Sequence, residues 1–287
     1  MKSAQKNRTV GLVLSGGGAR GFAHIGVLRV LEQYGIKPRL VAGTSMGAVI
    51  GALHASGLSA AEISDLALHT SLRDILDISL QAGLLKGDRL AHYLAEHLPP
   101  TFEDLKIPLA VTTTDIETGE QVILTEGDLI TAVRASASFP GAFEPIERDG
   151  RMLADGGIVN NLPVEAASWL GAGWTVASDV TPERRSSYRP PSEEGNWWER
   201  MLATVKLERR NPMVQMMLRS TDIMQSILTD IQYNLHPADL LIKMPLKGIR
   251  IEAFWEAEEI MAEGEREALE AVRAAGLTGP DDAEALH

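Results

Sequence analysis

A serine framed by two glycines is the first feature of this sequence that could carry chemistry. It lies in the pentapeptide Gly43-Thr44-Ser45-Met46-Gly47, where an apolar strand pattern passes into a helical one. This is the setting of a nucleophile elbow, in which a strained backbone projects the hydroxyl above the sheet and glycines avoid collisions with neighbouring backbone. Ser45 is therefore a candidate nucleophile for acyl transfer. The alternative is a close-packed turn in which Gly47 and Gly51 only let a helix approach the sheet.

A glycine-rich loop, Gly16-Gly17-Gly18-Ala19-Arg20-Gly21, follows the first apolar strand pattern. Its G-x-G-x-x-G spacing is also that of a dinucleotide-binding loop, in which backbone amides approach a pyrophosphate. That interpretation needs an acidic residue after the second strand, and none occurs between Glu32 and Glu62. The amides of Gly16, Gly17 and Gly18 could instead hold the oxyanion of a tetrahedral intermediate. Arg20 could add positive charge there, although a helix-surface arginine is the alternative.

A serine nucleophile needs a base, and two residues are candidates. Asp155 ends a short strand pattern and is followed by Gly156 and Gly157. With an ordinary pKa of about 3.9, it would act through direct contact with Ser45 and through burial. An Asp-Gly turn without a catalytic role is the alternative interpretation. His236, in a polar turn, is the candidate if the site is a triad whose residues follow the chain order serine, acid, histidine. Spacing alone does not decide between these bases.

The elements that must position these residues are alternating strands and helices. Val10–Leu14 and Leu40–Ala42 are short apolar runs, each followed by a glycine-containing loop and a helical pattern, and a capping box at Ser59–Glu62 begins a third helix. Two strand-loop-helix units in succession predict a parallel sheet covered by helices. Loops after successive parallel strands emerge at the same edge, so we expect the glycine loop to lie beside Ser45.

Later segments predict further elements of the same kind. They are a hairpin of Leu109–Ile116 and Gln121–Leu124, helices over Leu129–Ala137 and Ile251–Ala275, a mostly helical region over Trp197–Leu235, and strands over Arg151–Ala154, Trp174–Val180 and Leu240–Ile242. The polar segment Glu183–Asn196 contains two adjacent prolines and predicts a flexible surface loop.

Composition and charge exclude several classes of protein. The 287 residues include no cysteine, which excludes disulfide frameworks, thiolate zinc sites and cysteine nucleophiles. The net charge is −12, and Ile251–His287 alone holds 11 acidic and two basic residues. We expect no nucleic-acid partner, because neutralising phosphates requires a basic face. No apolar signal-peptide core precedes Val10, so we expect a cytoplasmic location.

One segment could suggest a membrane span instead. Leu40–Ala61 is a run of 22 residues without a charged side chain, which is long enough to cross a bilayer if it were helical. The glycine turn around Ser45 interrupts this run, and His54 and Ser56 are polar. A buried strand, a tight turn and a buried helix therefore fit the segment better.

Three ordered motifs give a more specific indication. Leu14–Gly21, Gly43–Gly47 and Asp155–Gly157, with the block Arg134–Phe143 before the aspartate, resemble the patatin-like phospholipases. The resemblance is to small bacterial members related to the catalytic domain of neuropathy target esterase, and it covers about Val10–Val180. It implies an α/β fold, a three-layer sandwich with a central, mainly parallel sheet. We expect this domain over residues 9–275, between an N-terminal tail of residues 1–8 and an acidic tail of residues 276–287.

The resemblance also implies a site and an activity. It assigns Ser45 as nucleophile and Asp155 as base in a dyad without histidine, and the amides of Gly16, Gly17 and Gly18 as the oxyanion hole. Arg20 matches the family's basic position, and Gly43, Gly47, Gly156 and Gly157 are supporting residues. The implied reaction is hydrolysis of phospholipids, lysophospholipids or other acyl esters through an acyl-enzyme, without metal or organic cofactor. The alternative is a lipid-binding or regulatory adaptor that keeps the fold with little turnover.

Two apolar segments could add to such a site. The region Trp197–Leu235 contains Met201, Met213, Met216, Met217 and Met224, and methionine adapts to irregular ligands, so this region could line an acyl pocket. Ordinary core packing is the alternative. The segment Ile75–Leu85 could cover the site. Either segment could contact lipid transiently at the inner membrane face, since no basic amphipathic stretch predicts stable anchoring.

Overall fold

Eight strands form one sheet in the computed structural model, which describes residues 9–70, 75, 85–182, 212–246, 249, 251 and 253–277. In chain order the strands of this described part are β1 (Val10–Leu14), β2 (Leu40–Thr44), β3 (Leu109–Asp115), β4 (Gln121–Leu124), β5 (Ile146–Arg148), β6 (Arg151–Asp155), β7 (Trp174–Asp179) and β8 (Leu240–Lys243). Their order across the sheet is β5-β6-β3-β2-β1-β7-β8, and β4 also pairs with β3. The five strands from β3 to β8 along this order are parallel, whereas β4, β5 and β6 pair in antiparallel fashion.

The pairing along β3 brings two strand ends together. Thr44, the last residue of β2, pairs with Thr112, and Asp155, the last residue of β6, pairs with Thr113. Strand β4 pairs with Val111–Thr114 of β3, a stretch that includes residues paired with β2 and residues paired with β6. Strand β4 therefore lies on one side of β3, and β2 and β6 share the other side. Because β6 runs antiparallel to β3, the carboxyl ends of β2 and β6 point at each other. The residues that follow Thr44 and end β6 therefore lie side by side.

Helices cover both faces of the sheet. The α-helices of the described residues are α1 (Ala23–Gln33), α2 (Met46–Ala55), α3 (Ala60–His69), α4 (Asp88–His97), α5 (Leu129–Ser136), α6 (Val164–Trp169), α7 (Pro212–Leu235) and α8 (Ala257–Ala274). Short 3₁₀ helices occur at Gly18–Phe22, Phe102–Asp104, Gly156–Ile158 and Phe254–Glu256. Residues of α1 to α5 and α8 pack in the larger core, whereas α6 and Tyr233 of α7 pack in the smaller one.

Alternation along the central strands explains the two cores. On β1, Leu12 and Leu14 point into the larger core and Val13 into the smaller one, as the two-residue period of a strand requires. The same alternation on β7 places Val176 and Ala177 in opposite cores. Each strand of a parallel sheet that is buried on both faces has a continuous apolar sequence, which explains why these strands could be predicted. The predicted α/β fold, a three-layer sandwich with a mainly parallel sheet, is confirmed.

Several boundaries differ from the predictions. The helix predicted from Ile251 begins six residues later, at Ala257, after a 3₁₀ turn. Strand β5 and helix α4 were not predicted. Strand β5 is only three residues long, but the Asp149-Gly150 turn that joins it to β6 has positive φ at both residues, 53° and 73°. An Asp-Gly pair between two short strands is a typical hairpin signal and could have identified β5.

Some predictions concern residues outside the described ones. These are the tail of residues 1–8, the loop Glu183–Asn196, residues 197–211 of the predicted helical region, which include Met201, the tail beyond Leu277, and the segment Ile75–Leu85 apart from its two end residues. The 22-residue uncharged run is described, and it forms β2, the turn at Ser45, and α2 followed by the start of α3. Across the described ranges, no helix combines the length and hydropathy that crossing a membrane requires.

Helices α1 and α8 approach each other at two glycines. A Cβ atom added to Gly264 would collide with the carbonyl oxygen of Ala23, and one added to Gly26 would collide with that of Met261. We predict that Gly264→Ala lowers the melting temperature, because overpacking a fitted interface costs about 1–3 kcal/mol. Elsewhere in a helix, glycine to alanine stabilises a protein by about 0.5–1 kcal/mol, so the sign of the effect is informative.

Thermal unfolding followed by circular dichroism measures this effect. The control is Ala262→Gly at an exposed position of α8, which reports the helix propensity difference alone. A melting temperature for Gly264→Ala equal to or above that of the unsubstituted protein would contradict the close approach.

Candidate active site

Ser45 occupies a strained turn between β2 and α2. Its backbone dihedral angles are φ 53° and ψ −124°, a combination that a residue with a side chain adopts rarely and at a cost of about 1–3 kcal/mol. A Cβ atom at Gly47 would contact the carbonyl oxygens of Leu14 and Ser15, and one at Gly43 would lie 2.5 Å from the carbonyl oxygen of Gly47. Both glycines of the motif are thus required by the close approach of backbone segments. The turn therefore has the backbone geometry that a nucleophile elbow requires.

The hydroxyl of Ser45 contacts the carboxyl group of Asp155. Ser45 Oγ donates to Asp155 Oδ2 at 2.7 Å, and the amide of Gly157 donates to Asp155 Oδ1 at 2.8 Å. This contact follows from the strand ends that meet along β3. Asp155 is 3% exposed. The two residues that the sequence selected as nucleophile and base are therefore hydrogen-bonded.

The alternative base, His236, lies apart from this pair. It is exposed in the turn after α7, where its amide donates to the carbonyl oxygen of Gln232. Its ring has no hydrogen bond to Ser45 or Asp155. The position that a histidine would take in a triad, against the serine hydroxyl, is held by the Asp155 carboxyl group.

Burial changes the acidity of Asp155. Removal from water raises its pKa from the ordinary value of 3.8 to about 6, because desolvation penalises the charged form. The hydrogen bonds from Ser45 and from the Gly157 amide act in the opposite direction and limit this rise. The carboxylate is thus a stronger base than an exposed aspartate and is still ionised at neutral pH.

The glycine loop lies against Ser45, but its three amides are not equivalent. A Cβ atom at Gly16 would lie 3.0 Å from the Cβ of Ser45. The Gly16 amide donates to the backbone oxygen of Asn161 at 3.2 Å, and Asn161 Nδ2 donates to the Gly16 carbonyl at 3.1 Å. Within the described part of the chain, the amides of Gly17 and Gly18 have no acceptor. Of the three predicted donors, the Gly16 amide is thus already engaged by Asn161.

Arg20 is buried, so its interpretation as a helix-surface arginine was wrong. The residue is 2% exposed and follows the glycine loop inside the 3₁₀ helix Gly18–Phe22. Its Nε donates to the carbonyl oxygen of Gly17 at 3.3 Å, and Nη2 pairs with Asp222 Oδ1 of α7 at 3.1 Å. The guanidinium group thus fixes the loop and links it to α7.

Gly156 and Gly157 continue the close packing around Asp155. A Cβ atom at Gly156 would collide with the carbonyl oxygen of Thr112, next to the point where β2 and β6 meet. One at Gly157 would collide with Nε2 of Gln225, which donates to the Gly157 carbonyl at 3.2 Å. A side chain at either position would displace the aspartate, the strand or α7.

This chain is similar to known proteins in sequence and in fold. A family model described as patatin-like phospholipase matches residues 12–168, more than half of the chain. The chain belongs to the patatin-like phospholipase family. An uncharacterised NTE family protein of Mycobacterium tuberculosis is 30% identical, with 96% of this chain and 94% of that protein aligned.

One further relative and one solved structure are longer than this patatin-like phospholipase chain. Patatin-like phospholipase domain-containing protein 6 of Homo sapiens is 36% identical, with 66% of this chain aligned to 15% of that protein. The crystal structure of VipD from Legionella pneumophila superimposes with a TM-score of 0.64 at 15% identity, covering 93% of this chain and 67% of VipD. At that identity the likeness to VipD shows the fold alone.

One buried residue of this patatin-like site was not predicted from the sequence. His24, at the start of α1, is fully buried, and burial lowers its pKa to about 4, so its ring is neutral at physiological pH. Nε2 donates to the carbonyl oxygen of Ser15 at 2.8 Å, and Nδ1 accepts from Ser178 Oγ at 2.7 Å. His24 thereby ties the start of the glycine loop to β7. Its sequence signal is a lone histidine one turn after the glycine loop.

The pKa of Asp155 predicts a pH-dependent stability. Its folded-state pKa lies above the unfolded value, so its contribution favours the folded state below pH 4 and is lost as pH rises through about 6. We predict that Asp155→Asn gains stability relative to the unsubstituted protein as pH rises from about 4 to 7. Denaturant unfolding of both proteins at matched pH measures the difference between their free energies of unfolding. The contributions of all other titrating groups cancel in this difference. A difference that does not change with pH would contradict the raised pKa.

Proposed function

We propose that this chain hydrolyses carboxylic esters of lipids, of the phospholipid or lysophospholipid type, through an acyl-enzyme on Ser45. The single observation that carries the proposal is the 2.7 Å hydrogen bond from the hydroxyl of Ser45, a residue with a strained backbone, to the buried Asp155 carboxylate. Relatives support the substrate class, since their names refer to a phospholipase and to neuropathy target esterase. We assign the reaction to one domain over residues 9–275.

In the proposed first step, Ser45 Oγ attacks the ester carbonyl carbon and its proton passes to Asp155 Oδ2. The oxyanion accepts hydrogen bonds from the amides of Gly17 and Gly18, and each such donor is worth about 10² to 10³ in rate. Gly16, whose amide is held by Asn161, positions these two donors. The intermediate collapses, the carbon to alkoxide bond breaks, and the leaving alcohol takes the proton from Asp155.

The second proposed step releases the fatty acid. Water attacks the acyl carbon and gives its proton to Asp155, and the oxyanion again lies against Gly17 and Gly18. Collapse of this intermediate breaks the bond to Ser45 Oγ, which recovers the proton from Asp155. The products are a carboxylic acid and the free enzyme. Ser45 precedes the first turn of α2, so the positive end of the helix dipole also stabilises both oxyanions.

Helix α7 supports contact with lipid beside this site. Its buried face is polar, and Gln225 of that face donates to Gly157. Its exposed face is apolar: none of the nine exposed side chains described on α7 is charged, and seven are Met, Ile or Leu. These seven are Met216, Met217, Ile223, Met224, Ile227, Ile231 and Leu235. We assign transient membrane-surface contact to this face, because water-exposed helix faces are ordinarily charged.

The assignment of the dyad predicts the phenotypes of three variants. Ser45→Ala removes the nucleophile and should lower hydrolysis of a short p-nitrophenyl acyl ester by about 10³-fold or more. Asp155→Asn removes the base and should have a comparable effect, whereas His236→Ala should leave the rate unchanged. Initial rates, with circular dichroism to verify folding, measure these effects. Activity retained by Ser45→Ala would refute the reaction, and a loss confined to His236→Ala would refute the dyad.

The apolar face of α7 predicts a substrate-dependent phenotype. The double substitution Met224→Lys with Ile227→Lys places two charges on this face and should lower hydrolysis of phospholipid in vesicles about tenfold or more. Hydrolysis of the dissolved p-nitrophenyl ester should not change, since neither residue touches the dyad. Trp169→Lys is the matched control, because Trp169 is exposed at the end of α6, near the amino ends of the strands and away from the site. Equal losses on both substrates would contradict a role in lipid contact.

A further inference from the structure

The block Arg134–Phe143, which helped to identify the family, has no role in the reaction as described so far. Ser136 in this block is the last residue of α5, and its side chain is fully buried. Its Oγ accepts a hydrogen bond from the backbone amide of Ser45 at 2.8 Å and donates to the carbonyl oxygen of Thr112 on β3 at 2.6 Å. One hydroxyl thus connects the nucleophile to the neighbouring strand.

The position of this hydroxyl follows from the register of β2 and β3. The amide of Val41 donates to the carbonyl of Pro108, and donors in a parallel ladder recur every second residue. The acceptor that the ladder would give to the amide of Ser45 is therefore the carbonyl oxygen of Thr112. At φ 53° the backbone of Ser45 turns away from β3, and the Ser136 hydroxyl stands between that donor and that acceptor. It replaces the strand hydrogen bond that the elbow breaks.

The same segment also holds the base. The amide of Asp155 donates to the backbone oxygen of Ser138 at 3.0 Å. The Ser138 hydroxyl has a different, local role, since it donates to the carbonyl of Arg134 at 2.9 Å. The side chain of Ser136 is thus directed at the nucleophile, whereas Ser138 contributes only its backbone to the base.

We propose that Ser136 is a positioning residue, which holds the Ser45 backbone in its strained conformation so that Oγ faces Asp155 and the substrate carbonyl. This inference rests on the proposed function. Ser136 touches neither the Asp155 carboxylate nor the substrate and acts through the amide of Ser45 alone. Without its hydroxyl, the Ser45 amide loses its acceptor, and the elbow relaxes toward the ordinary strand pairing with Thr112. The consequence is a displaced nucleophile at an unchanged binding surface.

Steady-state hydrolysis of the p-nitrophenyl ester tests this role. Ser136→Ala should lower kcat about tenfold or more, since a displacement of about 1 Å at the reacting atom can cost 10²-fold. KM should stay within about twofold, because the binding surface is intact. Ser136→Thr restores a hydroxyl and should recover most of kcat. Ser136→Cys leaves no cavity but hydrogen-bonds weakly, so it should lose kcat even if Ser136→Ala folds poorly.

The matched control is Ser138→Ala, which removes the local hydroxyl and keeps the backbone oxygen that accepts from Asp155, so its kcat should equal that of the unsubstituted protein. Full kcat in Ser136→Ala or Ser136→Cys would overturn the inference. An equal loss in Ser138→Ala would also overturn it, because it would indicate a general effect on α5. Ser45→Ala is measured in parallel. Activity retained by Ser45→Ala would defeat both the proposed function and the inference. An inactive Ser45→Ala together with a fully active Ser136→Ala would defeat the inference alone.

Discussion

The meeting of two strand ends along β3 is the constraint on which the rest of the site depends. Strand β2 runs parallel to β3 and ends opposite Thr112 of β3. Strand β6 runs antiparallel on the same side of β3 and ends opposite Thr113. A hydroxyl that follows one strand and a carboxyl group that ends the other are therefore neighbours without an intervening loop. The carboxyl group at this junction is buried, and burial raises the pKa of Asp155. The ladder of hydrogen bonds along β2 is interrupted at Ser45, whose amide donates to Ser136 Oγ instead.

Around this junction, segments distant in sequence are fixed to one another by hydrogen bonds, most of which involve a side chain. Asn161 holds Gly16 by two hydrogen bonds, which keeps the glycine loop against Ser45. Arg20 ties the same loop to α7, whose Gln225 in turn contacts Gly157. Helix α7 thus contacts both the segment that follows the glycine loop, through Arg20, and the loop after Asp155, through Gly157. Its apolar side remains exposed, so the proposed lipid contact and the Gln225 contact with Gly157 belong to the same helix.

The sequence was sufficient for those parts of the site that depend on local backbone conformation. Gly43 and Gly47 frame the elbow because a side chain at either would strike backbone, and that requirement is visible as a motif. The parallel sheet was predictable because buried strands form continuous apolar runs. What could not be predicted depends on pairing between distant segments. The engagement of the Gly16 amide needs Asn161, the burial of Arg20 needs Asp222, and the role of Ser136 needs the register of β2 on β3. Strand β5 had a local signal in Asp149-Gly150 that was overlooked.

The most direct test of the central claim, that Asp155 activates Ser45, is the rate at which a fluorophosphonate labels the protein, followed by intact mass and peptide mapping. A nucleophile activated by the neighbouring carboxylate should give a single adduct on Ser45. The labelling rate should fall when pH drops below about 6 and when Asp155 is replaced by asparagine. An adduct on another residue, or a labelling rate at Ser45 that is the same with and without the Asp155 carboxylate, would contradict the claim.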